Sequence, residues 1–399
     1  MSAAPVALDV GVLVIGAGPA GLAVSACLKR HGEPHALIDR EPVVGSSWRR
    51  HYDRLHLHTA KQYSALPGLP FPESDPTYPS RAEVIAYLDR YAERMALEPW
   101  LGVEVTRAYR HDGKWHADTR DGRRYRASAV VIATGYNAVP SRADWPGLAA
   151  FPGPVVHACD YKNGAPHEGK RVLVVGSGNS GAEIAVDLWE SKAAEVAMSF
   201  RSPVHVVPRD AFGLPAQRLT ILMSHLPTRL ADRLSQPLRD LTVGDLTRYG
   251  VARPAVGPLE LLETTGRVPL IDIGTVALIR QGAITVYPNL SRLEGAAVHF
   301  VDGRSRTFDA IVLATGYRAG LERWLEGVGD ALDERGLPRA HGRESAVPGL
   351  YFLGFRNPTT GNLREIALEA ERIADDLHHK ALARRHAEAT RSQASRSHA

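Results

Sequence analysis

Two glycine loops, each fed by an apolar run and followed by a helical pattern, constrain this 399-residue chain more than any other feature. Val12 to Cys27 reads VLVIGAGPAGLAVSAC and sets Gly16, Gly18 and Gly21 between a strand and a helix. Arg171 to Glu183 reads RVLVVGSGNSGAE and repeats the pattern with Gly176, Gly178 and Gly181. In such a loop the first glycine permits the tight turn, the second lets backbone approach a pyrophosphate, and the third lets the helix pack close to the strand. The helix start aims free N–H groups and a partial positive charge at that phosphate. Turns use glycine freely, so the spacing alone is weak; its strand-to-helix setting makes it a nucleotide signal. Pro19 and Ala20 in the first loop, and Asn179 and Ser180 in the second, are drawn into the same candidate sites. The expected fold class is α/β, with two Rossmann-like dinucleotide-binding domains.

The strand after the first loop, HALID, ends in Asp39, followed by Arg40. A carboxylate at that distance suits the adenosine ribose hydroxyls. The strand after the second loop, AAEVAMSFR, ends instead in Arg201, with Ser202 beside it. A cation in the acid's place favours a 2′-phosphate, hence NADP over NAD. Arg209 is a further candidate phosphate contact. A second repeat accompanies the loops: DGRRYRASAVVIATGY from Asp121 resembles DGRSRTFDAIVLATGY from Asp302, which indicates two modules of one ancestry. Thr134 and Gly135 belong to the first ATGY turn.

The length exceeds a usual single core, so two domains are expected. A net charge of +4 without a compact Lys/Arg block falls short of a nucleic-acid signature. Cys27 and Cys159 are the only cysteines and lack CxxC spacing, so neither a disulfide framework nor a zinc site is indicated, and a reducing cytoplasm fits. No window approaches the roughly 20 apolar residues that span a bilayer, and a soluble protein is expected.

Between Arg40 and Pro79 there is little periodicity, as in an ordered loop wrapped over a ligand. Trp48 there has two readings, an indole laid against a flat ring or ordinary core. His56 and His58 share one strand face, but no nearby Cys, Asp or Glu set completes a metal shell. Arg81 to Met95 has one apolar helical face, and Asp112-Gly113 and Asp121-Gly122 read as hairpin turns. Phe212 to Gly250 is helical in pattern and reads as core, with a substrate wall or a membrane-surface face as alternatives. GLYFLGF reads as a buried strand, Asn362 to His378 as a terminal helix, and 384–399 as a disordered basic tail.

The segment FPGPVVHACDY carries Phe151, Gly153, His157 and Tyr161 in the FxGxxxHxxxY pattern, and through it the chain resembles the flavin-containing monooxygenases over residues 9 to 380. Baeyer-Villiger monooxygenases are similar too, but their fingerprint ends in Trp where this chain has Tyr161. The blocks YDRLHLHTAKQY, PFPESDPTYP, RSPVHVVPR and RPAVGPLEL resemble the plant YUCCA branch, which converts indole-3-pyruvate to indole-3-acetate in auxin biosynthesis.

The resemblance implies a discontinuous FAD-binding domain, 1–162 and 310–383, holding the first loop and Trp48. An NADPH-binding domain, 163–309, would be inserted into it, with a helical insertion at about 212–250. NADPH would reduce FAD, and O2 would form a C4a-(hydro)peroxyflavin that attacks an aryl 2-oxo acid with loss of carbon dioxide. The helix from Asn362 would start at the carbonyl end of the flavin ring. Where animal-type members place an active-site Asn, this chain has His58. His58 and Lys61 are assigned to the flavin-proximal wall, either bonding the peroxyflavin or shaping the loop. Arg253, Arg318 and Arg356 are candidates for a substrate carboxylate. N- or S-oxygenation, Baeyer-Villiger oxidation, and a flavin reductase or NADPH oxidase stay open as alternatives.

Overall fold

In the computed structural model, which describes residues 7–396, the two glycine loops sit at the ends of parallel strands in two separate sheets. The first sheet has the order β3-β2-β1-β6-β5-β4, from β1 (Ala7–Ile15), β2 (His35–Asp39), β3 (Trp100–Leu101), β4 (Val105–His111), β5 (Lys114–Thr119) and β6 (Arg124–Ile132). β1 pairs in parallel with β2 and β6, while β4 and β5 form the antiparallel hairpin expected from Asp112-Gly113. Both turn residues have positive φ, +48° and +74°, as a two-residue hairpin loop requires. Successive residues of β1 serve opposite faces: Val12 and Val14 enter one core cluster, Leu13 and Ile15 the other. Burial on both faces is why this strand reads as an unbroken apolar run.

The second sheet, all parallel, has the order β10-β9-β8-β11-β7, from β7 (Val155–His157), β8 (Arg171–Val175), β9 (Glu195–Ser199), β10 (Ile284–Tyr287) and β11 (Ala310–Leu313). β12 (Leu350–Phe352) returns to the first sheet beside β6. Sheet membership therefore divides the chain differently from 1–162, 163–309 and 310–383, because β7 and β11 belong to the second sheet. The crossing lies nearer the two ATGY turns, where Val139–Pro140 pairs antiparallel with Tyr317–Arg318.

Helices α1 (Pro19–Arg30) and α4 (Asn179–Glu190) follow the two loops. The five-residue α2 (Ser46–Arg50) and α3 (Arg81–Arg94) come next in the first unit. α3 starts at a capping box, in which the Glu83 N–H donates to Ser80 Oγ and Glu83 Oε2 accepts from the Ser80 N–H. The stretch 212–250 forms two helices, α5 (Ala216–Met223) and α6 (Thr228–Thr242), parted at Pro227. α7 (Pro258–Thr265) packs on α6, and α8 (Thr275–Arg280) on α4.

The last helix, α9 (Asn362–Arg396), runs through most of the stretch expected to be a disordered tail; 397–399 lie outside the described residues. An alanine-rich sequence needs no apolar stripe to favour helix. The extension is also tied to the body, since Arg385 donates to the buried Glu33 carboxylate at 2.7 Å. No described helix is long and apolar enough to cross a membrane.

Candidate active site

The two loops are built alike. A Cβ on Gly16 would lie 2.6 Å from the carbonyl oxygen of Ala133, and one on Gly176 would lie 2.2 Å from that of Ala314. Both alanines begin an ATG turn, so the repeated turn is the surface against which each glycine loop closes. Gly21 and Gly181 press back on the carbonyls of Gly16 and Gly176, whereas nothing stands within 4 Å of a Cβ on Gly18 or Gly178. That open side is where backbone meets a pyrophosphate. Neither α1 nor α4 has a side-chain cap, leaving the first N–H groups of each helix free for an anion.

A cavity of about 920 Å³ joins the two units. Gly16, Gly18, Pro19, Ala20, Asp39, Arg40, Trp48, Thr134 and Gly135 line it from the first unit, with Asn179 and Ser180 from the second. Gly21, Gly176, Gly178 and Gly181 do not line it, and Gly178 is exposed. The Asp39 carboxylate accepts from the N–H groups of Ala17 (2.5 Å) and Glu41 (2.8 Å), and burial raises its pKa. Arg40 is paired with Glu41 and largely exposed. Trp48 packs against the first core and also lines the cavity. Gly361, Asn362 and Leu363 bring the start of α9 to the same wall, with Asn362 Oδ1 buried and unpartnered. The uncapped helix starts and the open side of Gly18 fit an extended dinucleotide, and the orphaned Asn362 oxygen, an acceptor, fits a ring or linker that offers an N–H or O–H donor.

His58 lines the cavity, and its Nε2 lies 2.8 Å from Glu183 Oε1. Glu183 is 1% exposed on the inner face of α4, and its other oxygen accepts from the Tyr52 hydroxyl. Burial, with the neighbouring carboxylate, pushes the Tyr52 pKa well up, keeping it a donor. Neither Glu183 nor Tyr52 was singled out by sequence; the available signal was an acid two residues past the last glycine of the loop, on the buried side of its helix. Lys61 has contacts that correct the first of its two readings and agree with the second, shaping the loop. It opens a short 3-10 turn that carries its Nζ away from the cavity, where it donates to the carbonyls of Pro72, Glu73 and Asp75. It holds a loop rather than a reacting group.

The fingerprint residues do not line the cavity. Phe151 is core, a Cβ on Gly153 would lie 2.1 Å from the Asp309 carbonyl oxygen, His157 is buried beneath Tyr317, and Tyr161 donates to Asp187 at 2.6 Å. They brace the second sheet where the chain enters it. Arg201 and Ser202 follow β9, and Ser202 Oγ accepts from Arg267 Nη1 at 3.1 Å. That second cation, far away in sequence, was missed. Arg209 reaches the cavity, with Asp210 and the Tyr78 ring as partners. Of the carboxylate candidates, Arg253 is paired with Asp240, Arg356 lies near Glu369, and neither these nor Arg318 line the cavity.

Gln217 of α5 donates to the Thr360 carbonyl and accepts from the Ala60 N–H, pinning the helical insertion over the opening. Leu219 and Met223 of α5, Leu238 of α6 and Leu259 of α7 supply an apolar wall there. The 212–250 region is thus in part a wall of the cavity and not the core its pattern suggests, since Leu222, Leu226, Leu230, Leu234 and Leu241 of the same stretch are exposed.

The fold and the site define a flavin- and nicotinamide-dependent oxidoreductase. Residues 13–209 match the pyridine nucleotide-disulphide oxidoreductase family. The structure is similar to that of a flavin-containing monooxygenase from Stenotrophomonas maltophilia, with TM-score 0.71 and 26% identity over 94% of this chain and 99% of that one. The sequence is 39% identical to indole-3-pyruvate monooxygenase YUCCA1 of Oryza sativa subsp. japonica over 92% of this chain and 91% of the relative. It is 38% identical to the probable indole-3-pyruvate monooxygenase YUCCA4 of Arabidopsis thaliana over 92% and 89%. The chain belongs to the YUCCA family of flavin monooxygenases, and is an enzyme of that kind.

Proposed function

We propose that the protein is an FAD- and NADPH-dependent monooxygenase that converts an aryl 2-oxo acid, indole-3-pyruvate in the first instance, to the aryl acetate. NADPH and a proton supply the reducing equivalents. One atom of O2 enters the new carboxylate and the other leaves as water, while the bond between the keto and carboxyl carbons breaks and carbon dioxide departs. Bound flavin supplies the oxygen activation.

The observation that carries this reading is that both uncapped helix starts and one apolar wall face a single cavity. Gly16 to Ala20, Asp39, Trp48, Thr134 and Gly135 would hold FAD, with the α9 start against its ring. Gly176 to Gly181 would seat the NADPH pyrophosphate, and Arg201, Ser202 and Arg267 its 2′-phosphate. Gln217 and the α5 wall exclude water, which the activated oxygen requires. His58 presents a ring whose Nε2 is committed to Glu183, leaving Nδ1 to hold or receive a proton at the cavity.

The test is oxygen uptake by the purified enzyme with NADPH and indole-3-pyruvate. Stoichiometric indole-3-acetate supports the reading; NADPH consumption yielding only hydrogen peroxide sinks it.

A further inference from the structure

Arg239 is the one arginine of α6 that faces inward. It is 8% exposed, lines the cavity beside Leu238 and Leu259, and keeps Nε and Nη1 buried with no hydrogen-bond partner. Among the described residues no carboxylate lies within ion-pairing distance of it: Asp240 is taken by Arg253, and Asp232 accepts from the N–H groups of Leu259 and Glu260 at the start of α7. A guanidinium stays charged in a protein, so this is a desolvated cation with unused donors. Such a group costs stability unless an anion completes it.

We infer that Arg239 is the anchor for the carboxylate of the substrate, on the side of the cavity formed by the helical insertion. The inference rests on the proposed aryl 2-oxo acid reading and deepens it. The surroundings match such a molecule, because Leu219, Met223, Leu238 and Leu259 supply an apolar chamber for the aryl body and Arg239 supplies the fork for its acid end. The phosphates of the nicotinamide nucleotide have other seats, at the α4 start and at Arg201, Ser202 and Arg267. Holding the carboxylate fixes the adjoining keto carbon, the atom at which oxygen must arrive.

An equilibrium titration tests this without turnover. FAD-loaded enzyme, free of NADPH, is titrated with indole-3-lactate and with its methyl ester, following the flavin absorbance. The lactate places its carboxylate as indole-3-pyruvate does but lacks the ketone. The wild type should prefer the acid over the ester, and Arg239→Met should weaken acid binding about 10- to 100-fold, the scale of a charged hydrogen bond, with the ester unaffected. Unfolding of Arg239→Met is measured alongside. An unchanged or raised Tm is expected, since a desolvated charge has been replaced by an apolar chain of similar length.

Equal acid affinity in the variant and the wild type would overturn the inference. So would a separate NADPH titration in which Arg239→Met loses affinity while its acid affinity holds, which would give the guanidinium to the nucleotide. If wild-type enzyme fails to oxidise indole-3-pyruvate yet shows the Arg239-dependent preference for the acid, the proposed substrate falls and the carboxylate anchor stands.

Discussion

Glu183 and His58 meet at 2.8 Å across the two units, so a carboxylate on the helix of the second glycine loop holds a ring from the loop that follows the first. Glu183 is buried and accepts from Tyr52 as well. A buried carboxylate with two donors is satisfied; with either removed it is not. One residue therefore couples the registry of the two units to the orientation of the imidazole.

If the ring serves the chemistry, His58→Ala should lower indole-3-acetate formation on the order of 100-fold, the scale of a positioned acid or base, while FAD content stays that of wild type. Glu183→Gln should move the same ratio of product to NADPH consumed in the same direction, because the amide cannot accept from both donors equally well. The ratio is measured by oxygen uptake and product analysis. A His58→Ala enzyme with the wild-type ratio would reduce His58 to a wall residue.

Lys61 should behave differently. Its three carbonyl partners belong to the 72–75 segment, so Lys61→Met removes charge-assisted bonds from a loop and should cost about 1.5–3 kcal/mol of stability in denaturant titrations. A fall in product as steep as that of His58→Ala, with stability intact, would restore Lys61 to the chemistry.

Nucleotide choice should depend on two cations from opposite ends of the second unit. Ser202 accepts from Arg267, which brings that second cation to the residue following Arg201. Arg201→Ala and Arg267→Ala should each raise KM for NADPH about tenfold or more and leave KM for NADH within a factor of two, the loss expected from one charged phosphate contact. Equal losses for both nucleotides would remove the 2′-phosphate from this site.

The glycine loops and their strands were legible because geometry forces them: only glycine turns so tightly against the Ala133 and Ala314 carbonyls, and a strand covered on both faces must be apolar throughout. The roles of Arg239, Arg267 and Glu183 were not legible. An arginine among 48 Lys and Arg residues carries no mark of burial, and what distinguishes Arg239 is that its Nε and Nη1 are buried with no partner among the described residues. Lys61 kept two readings open for the converse reason. It lies three residues from His58, and only the 3-10 turn at Lys61–Tyr63 reveals that its amine leaves the cavity. The tail misled because it lacks an apolar period, while its helix rests on alanine propensity and the Arg385–Glu33 pair.

Gly16 and Gly18 should part company when substituted. Gly16 has φ +112° and no room for a Cβ, so Gly16→Val should fail to yield a stable yellow protein. Gly18 has extended backbone and open space, so Gly18→Val should fold with the Tm of flavin-free wild type and bind no flavin, because the new side chain fills the pyrophosphate's approach. The readings are Tm and the flavin-to-protein absorbance ratio. A fully flavinylated Gly18→Val protein would remove the first loop from FAD binding.

Glu369 gives a pH dependence whose sign follows from burial. It lies on α9, 1% exposed, with Oε1 lacking a hydrogen bond and Arg356 Nη1 3.6 Å away. Burial, aided by Glu365 and opposed by Arg356, raises its carboxyl from an ordinary 4.5 to about 7. The folded protein thus keeps a proton that the unfolded chain releases between those values, and its stability falls as pH rises from 4.5 to about 7, then levels off. At about 1.4 kcal/mol per unit the loss is roughly 3 kcal/mol. Glu369→Gln, neutral at every pH, should flatten this part of the profile and be more stable than wild type at pH 8. Denaturant midpoints at pH 5, 6, 7 and 8 would show it; parallel profiles for the two proteins would mean that Glu369 is ionised in the folded state across the whole range.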